Sequence, residues 1–170
     1  MTFEEFTGTR LPALLRFAAV LTGDRAIAED VAQEALIRAY ARWDRIGAMD
    51  RPDLYVRKMV LNEFLSWRRR SWRQIPAGDA VARDAAEPDH ALGHAERDAL
   101  LAEVAKLPAR QRAVIVLRYY EGCADAEIAG LLGCRPATVR AYAARALAAL
   151  RVEMGPQPGN LTPYRESEVR

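Results

Sequence analysis

The stretch Leu65-Ser66-Trp67-Arg68-Arg69-Arg70-Ser71-Trp72-Arg73 holds four arginines and two tryptophans. Guanidinium groups bind phosphate oxygens, and bases stack on indole rings or guanidinium planes, so this composition suits nucleic acid. It also suits a solvated helix end, where late arginines complement the macrodipole. Other groupings able to do chemistry are thinner. Asp30 and Glu34 stand one helical turn apart but have no His or Cys companion. His90 and His94 have i,i+4 spacing, in a stretch rich in Ala, Gly and Pro. No Gly-rich phosphate loop precedes a helix. Cys123 and Cys134 form no CxxC pair and read as reduced, structural thiols. The chain is therefore expected to bind rather than catalyse, with no metal and no cofactor.

What positions the basic run is read from the rest of the chain. The 170 residues allow one ordinary domain or two small ones, and 51% apolar content is enough for a packed core. Net charge is only +2, so position matters more than the sum. Segment 51–73 has seven basic residues against two acids, 76–98 has six acids against two basic residues, and 135–151 has four arginines and no acid. Two basic regions separated by an acidic one fit two nucleic-acid modules joined by a linker. No apolar run approaches the roughly 20 residues of a membrane span. The acidic start, MTFEEFTGTR, lacks a signal peptide's apolar region, so a cytoplasmic protein is expected.

Almost every periodic segment has the helical period, and no strand pattern survives. Helices are expected over about 3–21, 25–43, 52–72, 96–107, 109–121, 124–132 and 136–151. Asp24 follows the Thr22-Gly23 break and suits the N-cap of the second helix. Ile27, Val31, Ala35, Leu36, Ala39, Tyr40 and Trp43 should face inward from that helix, leaving Glu29, Asp30, Gln33, Glu34 and Arg38 on its polar side. Residues 44–52 read as a loop, and Pro52 suits the first turn of the next helix. That helix turns Leu54, Tyr55, Met59, Val60, Leu61, Phe64 and Leu65 inward, and the basic run is its C-terminal end. Trp67 continues the inward stripe, while Trp72 is the better candidate for an exposed contact. The expected fold is all-α. Two small helical domains, 1–74 and 96–151, flank an acidic, flexible linker, 75–95, and a mobile tail follows at 152–170.

Residues 124–150, ADAEIAGLLGCRPATVRAYAARALAAL, read as a helix-turn-helix, with the turn at Gly133 and the second helix opened by Pro136. At about 100° per residue, Val139, Ala143, Ala146 and Leu150 share one side of that second helix. Ala137, Ala141, Ala144, Arg145 and Ala148 lie opposite, flanked by Thr138 and Arg140. Small residues let a helix sit deep in a groove, and alanine can touch a thymine methyl.

Three blocks in this order and spacing carry a family resemblance: DVAQEALIRAYARW (30–43), LYVRKMVLNEFLSWRRR (54–70) and LPARQRAVIVLRYYEGCADAEIAGLLGCRPATVRAYAARAL (107–147). Over roughly 10–151 the chain resembles the bacterial sigma factors of the sigma-70 family, in the compact extracytoplasmic-function type that has only regions two and four. The resemblance implies a transcription initiation factor, not an enzyme. Its partners would be core RNA polymerase, through the beta-prime clamp helices and the beta flap, promoter DNA, and in many relatives an anti-sigma factor.

Roles follow by position. Asp30, Gln33 and Glu34 fall where the family contacts the clamp helices. Gly47, Ala48, Met49, Asp50 and Asn62 fall where it reads the minus-ten element, on a base extruded from the melted strand. Arg68, Arg69, Arg70 and Arg73 would lie against the phosphate backbone there, positioning while the loop and Asn62 specify. Arg135, Thr138, Arg140, Ala141 and Arg145 fall where region four reads the minus-thirty-five element. The family often has Gly-Thr-Val-Lys-Ser-Arg where this chain has Ala137-Thr138-Val139-Arg140-Ala141-Tyr142, which removes two polar contacts. Ser66 also replaces a frequent Asp. A stand-alone helix-turn-helix regulator would explain 96–151 but would leave the block at 30–70 without a task.

Overall fold

The computed structural model describes residues 1–74 and 94–154, with side chains over 1–71 and 97–151. Among these residues every regular element is helical, and the chain divides into two compact units, Met1–Asp89 and His90–Arg170.

The first unit contains α1 (Phe3–Thr22), α2 (Arg25–Tyr40), the single turn α3 (Trp43–Ile46) and α4 (Pro52–Gln74). Local chemistry sets the starts. Thr2 and Glu5 form a reciprocal capping box on α1, each side chain bonded to the other's backbone N–H at 3.2 and 2.8 Å. Asp24 caps α2 by accepting from the Ile27 N–H at 2.9 Å. Between these helices Gly23 takes φ 71°, a left-handed conformation that costs glycine nothing. Helices α1, α2 and α4 pack against one another in pairs. Their core joins Phe6, Leu14, Phe17 and Leu21 of α1 to Val56, Val60, Leu61 and Phe64 of α4. Helix α2 contributes Ala28, Val31, Ala32, Ala35 and Ala39, small side chains that allow close backbone approach.

Two expectations change in this unit. The second helix stops at Tyr40, and Trp43 opens a new helical turn rather than ending the old one. The break at Ala41-Arg42 resets the angular register beyond it, so Trp43 is only half-buried, and Tyr40, the last residue of α2, is 62% exposed. Trp43 instead joins Phe3 and Phe6, with ring centroids 5.2 and 4.9 Å away. Residues 43–46 are thus helical, and the loop shortens to the residues that follow.

The second unit contains α5 (His94–Lys106), α6 (Ala109–Ile115), a π-helical turn (Val116–Tyr120), α7 (Asp125–Leu132) and α8 (Pro136–Met154). The expected continuous helix over 109–121 therefore changes winding at Val116. The Glu121 N–H reaches the Val116 carbonyl at 3.0 Å, an i→i+5 bond. Arg112, 1% exposed, lies inside this unit and donates to the Ala105 and Leu107 carbonyls at the end of α5. It satisfies helix-end acceptors that burial would otherwise orphan. Arg118 pairs with Asp125, tying the π turn to α7. Gly133 ends α7 at φ 63°, and α8 begins at Pro136. Of the expected linker 75–95 and tail 152–170, residues 75–93 and 155–170 lie outside the described residues.

Candidate nucleic-acid interface

In the second unit, α8 packs its Val139, Ala143, Ala146 and Leu150 stripe against the core, each 7% exposed or less. This is the stripe expected from the helical period. The opposite side, Ala137, Ala141, Ala144, Arg145 and Ala148, is exposed along with Arg135 and Arg140, while Thr138 is half-buried. Ile128 and Leu132 of α7 are buried, and α7 packs on α8. The Arg135 carbonyl accepts from the N–H groups of Thr138 and Val139 at 2.9 and 3.2 Å, which fixes the entry into α8. The result is a low, alanine-lined helix face with arginines along it and no acid among its described side chains, compatible in shape and charge with a major groove.

In the first unit, the turn after α3 exposes Ala48 and Asp50 and half-buries Gly47 and Met49. Gly47 is a close-approach position. A Cβ there would stand 2.9 Å from Trp43 Nε1 and 3.1 Å from the Met1 carbonyl oxygen. Its φ of −64° is ordinary, so space alone demands glycine. Asn62 is exposed on α4, and Arg69 follows it two helical turns later, also exposed.

The basic run divides into different environments. Arg69 and Arg70 are exposed, but Arg68 is half-buried and lies over the Trp67 ring, 6.0 Å from its centroid. Burial pulls the Arg68 guanidinium below its ordinary pKa. Trp67 is half-buried, its ring stacked near Phe64 at 6.3 Å. The side chains of Trp72 and Arg73 lie outside the described residues. Arg70 donates to Glu63 at 2.8 Å and to Ser66 Oγ at 2.9 Å.

Glu63, only 4% exposed, escaped the sequence reading. It pairs with Arg70 of its own helix and with Arg38 of α2 at 2.9 Å. Its spacing from Val56 and Val60, seven and three positions earlier, and from Arg70, seven later, was the available signal, but a glutamate is passed over when the inward stripe is read from apolar residues alone.

On α2, Asp30 and Gln33 are exposed and Glu34 is half-exposed. Glu34 is engaged by Arg38 at 2.9 Å. The three residues that the family resemblance groups therefore share a helix and a polar side, but Glu34 already has a cationic partner. No group of acids, histidines and cysteines able to hold a metal occurs among the described residues. No helix among them is long and apolar enough to cross a membrane.

Comparison with known proteins places these features in two named regions. Residues 8–74 match the family described as Sigma-70 region 2, and residues 97–150 match Sigma-70, region 4. The RNA polymerase sigma-E factor of Streptomyces avermitilis is 40% identical over 156 residues, 91% of this chain and 86% of the relative. The ECF RNA polymerase sigma factor SigL of Mycobacterium tuberculosis is 36% identical over 151 residues, 84% of each chain. Among solved structures, the sigma factor RpoE in complex with the anti-sigma factor NepR, from Bartonella quintana, superposes with a TM-score of 0.63 at 24% identity. It covers 89% of this chain and 97% of that one. CnrH in complex with the cytosolic domain of CnrY gives a TM-score of 0.59 at 22% identity, over 89% of this chain and 86% of that one. Both likenesses speak to the fold.

Proposed function

The chain belongs to the sigma-70 family of RNA polymerase sigma factors, in its extracytoplasmic-function group, and from that premise we propose how its surfaces divide the work. As a sigma factor it directs core RNA polymerase to specific promoters for transcription initiation. Asp30, Gln33 and Glu34 of α2 meet the clamp helices of the beta-prime subunit. The turn Gly47–Asp50 and Asn62 read the melted minus-ten strand, with Arg69 and Arg70 on the adjoining backbone. Helix α8 enters the major groove at the minus-thirty-five element with Thr138, Arg140 and Arg145, and the second unit docks on the beta flap. The chain has no chemistry of its own, because nucleotide addition belongs to the polymerase, and it works in the cytoplasm, where that enzyme is. An anti-sigma factor that covers these surfaces is the expected regulator.

One observation carries this reading. Both family regions match in order, at 8–74 and 97–150, and fall on separate compact units that each expose arginines along a helix. A stand-alone regulator would leave the first match unexplained. The test is reconstitution with sigma-free core polymerase from a related bacterium, scored by co-elution and by run-off transcription on fragmented genomic DNA from the source. Co-elution and new transcripts should both be lost when Asp30, Gln33 and Glu34 are changed together to Ala. Tight duplex binding by the chain alone, without co-elution, would overturn the reading.

A further inference from the structure

Glu63 is a buried acid in the helix that carries the basic run, and nothing in the proposed contacts uses it. One carboxylate oxygen accepts a hydrogen bond from Arg70 at 2.8 Å, and the other forms an ion pair with Arg38 at 2.9 Å. The guanidinium ends stay near solvent, since the Arg38 and Arg70 side chains are 55% and 54% exposed. Arg70 is held a second time by Ser66 Oγ, one turn earlier on α4. These two bonds use two of the five N–H donors of a guanidinium, which leaves an outward edge for a further acceptor.

We propose that Glu63 is a positioning residue for DNA binding, holding the Arg70 guanidinium at the surface of α4 in the orientation that meets a backbone phosphate. The inference rests on reading Arg70 as a backbone contact. Its physical basis is preorganisation. A long arginine loses rotamer freedom when it binds phosphate, and a side chain already fixed by Glu63 and Ser66 has met that cost during folding. A bare α2–α4 link would not require charge, because a buried ion pair is weak support for stability compared with apolar packing. The charge balance also fits. Two arginines share one carboxylate, so a positive charge remains once Glu34, the other partner of Arg38, is taken by a cationic side chain of the polymerase.

The experiment uses the full chain reconstituted with core polymerase, on a promoter recovered from the run-off assay. It measures how promoter-complex formation falls with salt. Losing one phosphate contact lowers that log–log slope by about one. R70A should show this loss. E63Q keeps the Arg70 charge but releases the side chain, so it should weaken promoter binding at fixed salt without lowering the slope, and it should weaken binding no further when added to R70A. Core co-elution should be unchanged in all three. If R70A lowers the slope while E63Q binds the promoter as tightly as the parent, the positioning role is overturned and the backbone contact stands. If R70A leaves the slope unchanged, the backbone reading fails and the inference with it. Tryptophan fluorescence reports whether E63Q folds. If it does not, E63D keeps the charge but withdraws it by one methylene, and the same two outcomes apply to it.

Discussion

The Trp43 indole Nε1 donates to the Met1 carbonyl at 3.0 Å, closing a bond across 42 positions directly against Gly47. The start of the chain, the α3 turn and the turn proposed to read the minus-ten element are therefore one packed assembly. G47A would place its methyl against both partners of this bond. We expect a cost of about 1–3 kcal/mol, the usual range for overpacking. All three tryptophans lie between residues 43 and 72, so indole fluorescence during urea unfolding reports the first unit alone. Strand opening at the minus-ten element, followed by permanganate reactivity, should fall further in G47A than upstream binding does.

The ion pairs on α2 differ in worth despite similar distances. Arg25–Glu29 is an i,i+4 pair at 3.1 Å, with side chains 80% and 57% exposed. R25A should change stability by less than about 0.5 kcal/mol. Arg38 instead reaches the buried Glu63, and its removal leaves that carboxylate with Arg70 alone. R38A should cost about 1–3 kcal/mol, between an exposed pair and a fully buried one. Urea unfolding of both variants checks the ordering, and equal costs would contradict it.

Acid should find Asp53. Burial alone would raise its pKa, but the Arg51 guanidinium, 3.4 Å away, and the Leu54 N–H together hold the carboxyl below its ordinary value. A depressed folded-state pKa adds stability above the unfolded pKa of about 3.9, and that stability is lost as pH falls through the folded value. D53N should thus be less stable than the parent at neutral pH, and the two should converge in strong acid. Fluorescence-monitored melts from neutral pH downward measure this. A gap that widens in acid would refute the assignment.

Burial of α8 was legible because a single uninterrupted period governs it, so Val139, Ala143, Ala146 and Leu150 could be placed by angle alone. The method failed where the backbone changed course. Trp43 lies beyond the break after Tyr40, and Val116 begins a wider winding. It also failed where polarity hid burial. Glu63 and Arg112 are each at or below 4% exposure, but their partners come from α2 and from helix-end carbonyls that no local pattern announces. The candidate site divides along the same line. Exposed residues such as Asn62, Arg140 and Arg145 lie on faces the period gives, while Arg68 and Arg70 look alike in sequence and take different environments in the fold.

The low face of α8 separates folding from binding. Ala141 is exposed opposite the buried stripe, and leucine is nearly as good a helix former as alanine. A141L should leave the stability of the second unit within about 0.5 kcal/mol, as surface changes usually do. If that face seats in a major groove, the added bulk holds the helix off the base edges and upstream binding by the holoenzyme falls at every sequence. R145A removes a single reaching side chain. It should cost about 1–3 kcal/mol and relax the preference at one base pair if Arg145 reads a base. Footprinting of the minus-thirty-five region over a set of single-base variants distinguishes the two. Full upstream protection by A141L would mean that another face of the second unit meets the DNA.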